Sequence, residues 1–142
     1  MKRGLATLGL LLLMAGARPA AAAEPFKVIV NVKVAGKAIR RDSLAGIFLG
    51  RAERWGDGRP VSPVDLSTTS PVRESFTKAA LEMTVLSVRV YWTRTITAGH
   101  FPPPTRTRDE EVVAFVATHP GGIGYVSEQA MLPETVKVVT LQ

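Results

Sequence analysis

The sequence contains no cysteine. That excludes disulfide staples, thiolate metal sites, a cysteine nucleophile and a lipid-modified N-terminal cysteine. Histidine is scarce too. His100 and His119 are the only pair, and neither has a metal-ligand partner at useful spacing. Aromatic residues make up 6% of the chain, and the basic residues form no stripe interleaved with them, which argues against a nucleic-acid surface. No Gly-x-Ser-x-Gly elbow is present, so a serine nucleophile lacks its usual frame. There is no internal repeat, no heptad run and no apolar stretch of the ~20 residues that a membrane-spanning helix needs. The sequence therefore implies no cofactor, no metal and no enzyme.

The N-terminus reads as an export signal. Lys2 and Arg3 form its charged end, Leu5 to Gly16 its apolar run, and Ala21-Ala22-Ala23 the small residues of a cleavage site. Cleavage is expected after Ala23, so residues 1–23 are a signal peptide and residues 24–142 a single domain. The expected location is the periplasm, with no membrane insertion once the signal is removed. Lys2, Arg3 and Arg18 fall in the signal, so the chain's formal charge of +6 drops to +3 in the remainder. That supports a weak attraction for anions and no more.

Phe26, Val28, Val30, Val32 and Val34 alternate with other residues, the period of a half-buried strand. Leu44, Ile47 and Phe48 then repeat at helical spacing, with Gly50 placed to stop the helix. Trp55 to Pro60 is a turn cluster. Val61 to Leu66 reads as a short strand that Pro63 assigns to an edge. A helix begins at Pro71 and carries Val72, Phe76, Ala79, Ala80 and Met83 on one side. Thr84 to Thr97 is rich in β-branched residues, but its length and its Leu86, Val90 and Thr93 spacing favour a second helix. Gly99 to Pro104 is a stiff loop. Asp109, Glu110 and Glu111 suit the first turn of a helix that His119-Pro120-Gly121-Gly122 breaks. Ile123 to Val126 and Val136 to Leu141 complete the strands. Strands alternating with helices give an α/β domain with a mixed, mainly parallel sheet flanked by helices.

The segment Ser70-Pro71-Val72-Arg73 carries the most chemistry. Ser70 is a good N-cap, and Pro71 fits the first helical position, where a missing N–H costs nothing. The remaining free N–H groups and the positive end of the helix dipole attract an anion. Arg73 adds a planar fork of donors suited to an oxyanion. Thr68 and Thr69 bring hydroxyls to the preceding loop. The other candidates have simpler explanations: Asp65 as a turn acceptor, Tyr91 and Trp92 as packing residues, Gly121, Gly122 and Gly124 as a tight backbone turn leading into a strand.

Ile47-Phe48-Leu49-Gly50, then Trp55 with Asp57-Gly58, the helix start at Ser70 to Phe76, Tyr91-Trp92, and Pro120-Gly121-Gly122-Ile123-Gly124-Tyr125-Val126 follow one another in a familiar order. With them the chain resembles the periplasmic phosphate-binding proteins of ABC transporters, and more narrowly their short, phosphate-binding-protein-like relatives. The resemblance runs from about Val28 to Val126. It implies a single lobe of a type II periplasmic-binding-protein-like fold, standing where the full-length family has two lobes enclosing phosphate. It also implies ligand residues at the helix start: Ser70, Val72 and Arg73, with Thr68 and Thr69. Ser70 matches the family's serine. Pro71 replaces a glycine and Val72 a threonine, which removes one N–H donor and one hydroxyl. Leu66 stands about where the family has an arginine, while Arg73 matches one common among the short relatives.

Two functions follow as expectations. The first is an exported, solute-binding-like protein that holds phosphate or a related oxyanion weakly at a helix N-terminus, with a link to phosphate uptake. The alternative is a non-transport interaction or scaffold module that has lost ligand binding and pairs with another protein or a second copy.

Overall fold

The computed structural model describes residues 24–142; the export signal expected over residues 1–23 lies outside them. Seven strands and four helices follow in the order β1 Phe26–Asn31, β2 Ala38–Ile39, α1 Arg41–Phe48, β3 Ser62–Pro63, β4 Asp65–Leu66, α2 Pro71–Leu81, α3 Val85–Thr95, β5 Thr105–Arg106, α4 Asp109–Thr118, β6 Gly122–Ser127 and β7 Val136–Leu141. A 3₁₀ turn, Ile96–Ala98, extends α3.

The alternation read in β1 gives a strand buried on both sides, because a strand comes to lie against each of its edges and helices cover it. β1 pairs antiparallel with β6, Val28 opposite Tyr125, and antiparallel with β7, Val28 opposite Val139. The main sheet runs β2-β7-β1-β6-β3, and β4 and β5 form a separate two-stranded sheet. The sheet is mixed, as expected. Two of the main sheet's four pairings, and the β4–β5 pairing, are parallel, but each of those covers only two residues per strand, whereas the two long central pairings are antiparallel. β6 and β7 lie on either side of β1, parallel to one another, and residues 128–135 cross from the Phe26 end of β1 to its Asn31 end, so the two long parallel strands never pair directly.

The stretch Val61 to Leu66 does not form one strand. The chain leaves the main sheet at Val64: Pro63 registers with Ile123 in β6, whereas Asp65 and Leu66 register with Thr105 and Arg106 in β5. Pro63 sits in an edge strand, where its missing N–H costs no ladder bond. The helix expected over Thr84 to Thr97 is present as α3, capped by the Thr84 hydroxyl, which accepts from the Ser87 N–H at 3.0 Å. Capping and the burial of Val88 and Trp92 outweigh the β propensity of its Val and Thr residues.

Helices α2 and α4 pack on the sheet and bury Phe76, Ala80, Val112 and Val116 against Ile29, Val30, Ile123 and Tyr125. Four rings form the centre of this core. Phe76 stacks on Tyr125 with centroids 3.7 Å apart and planes 6° from parallel, and it meets Phe26 and Phe48 edge-on. Helix α3 docks on the end of α1: the Tyr91 hydroxyl donates to the Leu49 carbonyl at 2.6 Å, and the Trp92 indole lies over Gly50.

The glycines that open β6 serve close approach, since neither Gly121 nor Gly122 has a positive φ. A Cβ on Gly121 would collide with the Pro60 carbonyl oxygen and crowd the Trp55 indole nitrogen, which donates to the Gly121 carbonyl at 3.0 Å. Gly121→Ala is therefore expected to push β3 off β6 and destabilise the fold by about 1–3 kcal/mol. A lowered urea midpoint, with Trp55 emission shifted to the red in the native state, is the expected signature.

Candidate anion site at the start of helix α2

The first turn of α2 is open to solvent at its tip and closed beneath. Thr68, Thr69 and Pro71 are exposed and Ser70 half-buried. Ser70 caps the helix as expected: its hydroxyl accepts from the Arg73 N–H at 3.3 Å, and its carbonyl accepts from the Glu74 N–H at 3.2 Å. Pro71 has no N–H. Among the described residues, the Val72 N–H has no hydrogen-bond partner. It is the one first-turn donor left for a ligand, beside the Ser70 hydroxyl proton.

The loop before the cap is held from below. The Ser67 N–H donates to the Arg106 carbonyl at 2.8 Å, and the Ser70 N–H donates to the Ser67 carbonyl at 3.0 Å. The Ser67 and Thr69 hydroxyls lie 3.1 Å apart. Thr68 has no such tether and lines the hollows on both sides of the tip.

Arg73 turns away from this tip. Its residue is 7% exposed, and its guanidinium enters the core. Nη1 donates to the Leu66 carbonyl at 2.7 Å, and Nη2 lies 3.2 Å from the Asp65 carboxylate. Nε is buried without a partner. Asp65, read from the sequence as a turn acceptor, is instead the buried counter-charge. It also accepts from the Leu66 N–H at 3.0 Å and from the Tyr125 hydroxyl. Burial is the main influence on both acids of this cluster. It raises the Asp65 carboxyl above its ordinary value, with the Arg73 charge and the Tyr125 and Leu66 donors pulling it back. It raises the Tyr125 phenol as well, and the neighbouring Asp65 charge adds to that shift. Tyr125 therefore stays protonated and can only donate to Asp65. The cluster joins α2 to β4 and β6 at one point.

Helical spacing carried the signal for Arg73. Residues 73, 76, 77 and 80 fall on one face, and all four are buried. An arginine at that phase has to find a partner inside, and Asp65 is the carboxylate that β4 brings there.

Two hollows flank the tip, and their charges differ. The outer one, about 890 Å³, runs along Ser70, Glu74, Lys78 and Glu82 and carries more acid than base. The inner groove, about 280 Å³, lies towards α3 between Thr68, Arg73, Arg89, Thr93 and Thr105, with Asp65 at its floor. The inner side thus favours an anion and the outer side does not. Arg89 is the residue that the sequence reading passed over. Its place four residues after Val85 in α3 gave no sign that α3 folds back beside the tip.

Among the described residues, no group of three or more His, Asp and Glu side chains is placed to hold a metal ion. No helix among them is long and apolar enough to cross a membrane.

No protein-family model matches the sequence, and no curated protein matches it. Solved structures do match the fold. An ABC-type phosphate transport receptor from Vibrio cholerae superposes with a TM-score of 0.65 at 15% identity, over 83% of this chain and 46% of that one. PstS from Borrelia burgdorferi gives 0.65 at 14% identity, over 84% and 47%. A putative phosphate ABC transporter substrate-binding protein with bound phosphate from Clostridium perfringens gives 0.61 at 17% identity, over 83% and 45%. The chain has the fold of these phosphate-binding proteins and spans less than half of their length.

Proposed function

We propose that this chain is an exported, non-catalytic protein of the phosphate-binding-protein fold that binds phosphate or a related oxyanion weakly at the tip of α2. The open first turn carries the reading: the Val72 N–H is unused, and Thr68, Thr69 and Ser70 bring hydroxyls to the exposed loop just before it. Arg73 has a different part from the one its position suggested. Paired with Asp65, it sets the angle of the turn and adds little net charge. The nearest free cation on the inner side is Arg89.

Weak binding follows from the geometry. Neutral donors on an open surface compete with water for every hydrogen bond, so the dissociation constant is expected between about tens of micromolar and millimolar. Titration of isotopically labelled protein with phosphate tests this. The Val72 amide resonance is expected to move with phosphate and to stay still with chloride at matched ionic strength. Thr68→Ala/Thr69→Ala, which leaves the Ser70 cap intact, is expected to weaken the response several-fold. A Val72 amide that does not move at about 50 mM phosphate, far above the expected affinity, counts against the site.

The Asp65–Arg73 pair favours a second reading. An arginine locked into the core is unavailable to any ligand, as in an interaction or scaffold module that no longer binds an anion. In that case the amide stays still and the chain sediments as a dimer or is retained on a protein partner.

A further inference from the structure

Helix α3 shows an outward face that the core does not use. Val88 and Trp92 point inward. Leu86 and Val90, one turn apart on the opposite side, are 67% and 44% exposed. At 100° per residue, Arg89 and Arg94 fall on either side of that apolar stripe. None of the ion pairs among the described residues uses either guanidinium. Beyond α3 the chain turns at Gly99 and returns along the helix, with Pro102 and Pro103 lining the same groove as Arg89 and Ile96. Phe101 is held out at the head of this proline-stiffened loop, 73% exposed, and Ile96 is 45% exposed. From Thr84 to Arg108 the sequence has four arginines and no aspartate or glutamate. Glu82 and Asp109 lie just outside this stretch.

We propose that this face adsorbs to an anionic phospholipid bilayer. An apolar stripe flanked by arginines on both sides is the pattern of a helix that lies in a membrane interface without crossing it. Leu86, Val90 and Phe101 enter the boundary between headgroups and acyl chains, while Arg89 and Arg94 meet the phosphates. Arginine suits this because its planar fork pairs with phosphate oxygens and its stem covers apolar surface. An acidic protein would satisfy the two arginines but would leave Leu86, Val90 and Phe101 to be matched separately. A bilayer offers both an apolar interior and a layer of phosphates to such a face. Arg89 lines the inner groove of the α2 site as well, so the two proposals share that guanidinium, whereas Leu86, Val90, Arg94 and Phe101 belong to the adsorbing face alone and the label at position 97 reads that face directly.

The lack of cysteine makes a local test simple. A single cysteine at Thr97→Cys, on the same face, carries an environment-sensitive fluorophore; Val138→Cys on β7 is the control. Vesicles of phosphatidylglycerol are expected to shift the emission at position 97 to the blue, and vesicles of phosphatidylcholine are not. The label at position 138 is expected to stay unchanged with both. Arg89→Gln/Arg94→Gln, added to the Thr97→Cys chain, is expected to weaken the partitioning about 30-fold at low salt. About 0.5 M salt is expected to reverse the shift in the parent. Because the probe reports its own surroundings, insertion of residues 1–23 alone leaves position 97 silent. No shift with anionic vesicles, an equal shift with neutral ones, or a shift indifferent to the arginine substitutions overturns the proposal. The first of these outcomes would point to an acidic protein surface as the occupant.

Discussion

Asp65→Ala is expected to destabilise the fold by about 3–5 kcal/mol, as removal of one partner from a buried ion pair does. The Arg73 guanidinium would keep the Leu66 carbonyl but lose its counter-charge, with Nε already lacking a partner. The Tyr125 hydroxyl would lose its acceptor in the same step. Removing both charges is expected to cost much less. Asp65→Leu/Arg73→Met should recover most of the loss, because an apolar pair of similar volume carries no desolvation penalty. The measurement is a double-mutant cycle in urea built from Asp65→Leu, Arg73→Met and the double variant, in which the pair is expected to couple by several times the ~0.5 kcal/mol typical of independent sites. Additive single substitutions would show that Asp65 and Arg73 are not a unit.

The same pair gives a pH dependence whose sign is fixed by burial. The folded Asp65 carboxyl titrates above its unfolded value of about 3.9. In the window just above that unfolded value the native state therefore holds more proton at Asp65 than the unfolded state does. The contribution of Asp65 is complete below the unfolded value and is lost as the pH rises through the folded one. Asp65→Asn is expected to show a flatter stability profile than the parent from about pH 4 upwards. The result means that desolvation of the carboxylate outweighs its attraction to Arg73.

Phe76→Ala is expected to cost a further 3–5 kcal/mol in order of magnitude, about the usual loss for a large aromatic in a packed core. Phe76 is 1% exposed and touches three other rings. Its removal leaves a cavity between α2 and β6 and uncovers one face of Tyr125. Near-ultraviolet circular dichroism should lose its tyrosine signal well below the thermal midpoint of the parent, which is expected to fall by more than ~10 °C. Phe76→Leu fills most of the space and is expected to lose less than half as much.

What could be read from the sequence followed from patterns that stand alone. The valine alternation in β1, the Ser70-Pro71 cap and the acidic first turn of α4 are each local statements; the cap and the acidic turn are where they were expected, while β1 stops at Asn31, short of Val32 and Val34, where the chain turns. The two-residue strands were not legible. β2 and β5 contain no pattern of their own and exist because Thr140 and Asp65 come to lie beside them. The site was legible in half. The cap and the hydroxyl loop are properties of five consecutive residues. The direction of Arg73 depends on a carboxylate eight residues earlier being carried under the helix by the β3–β4 shift. The place of Arg89 depends on α3 folding back across the chain.

The position of β1 has a consequence for how the chain is made. The first strand of the described chain is the centre of the sheet, and both of its partners lie beyond residue 121. Nothing synthesised before them can complete its hydrogen bonding. A ribosome that has released the first hundred residues holds a chain whose middle strand is still unpaired, and such non-local pairing is slow even once the partners emerge. The middle of the sheet therefore stays open until residues 122–141 emerge, which would suit the proposed export.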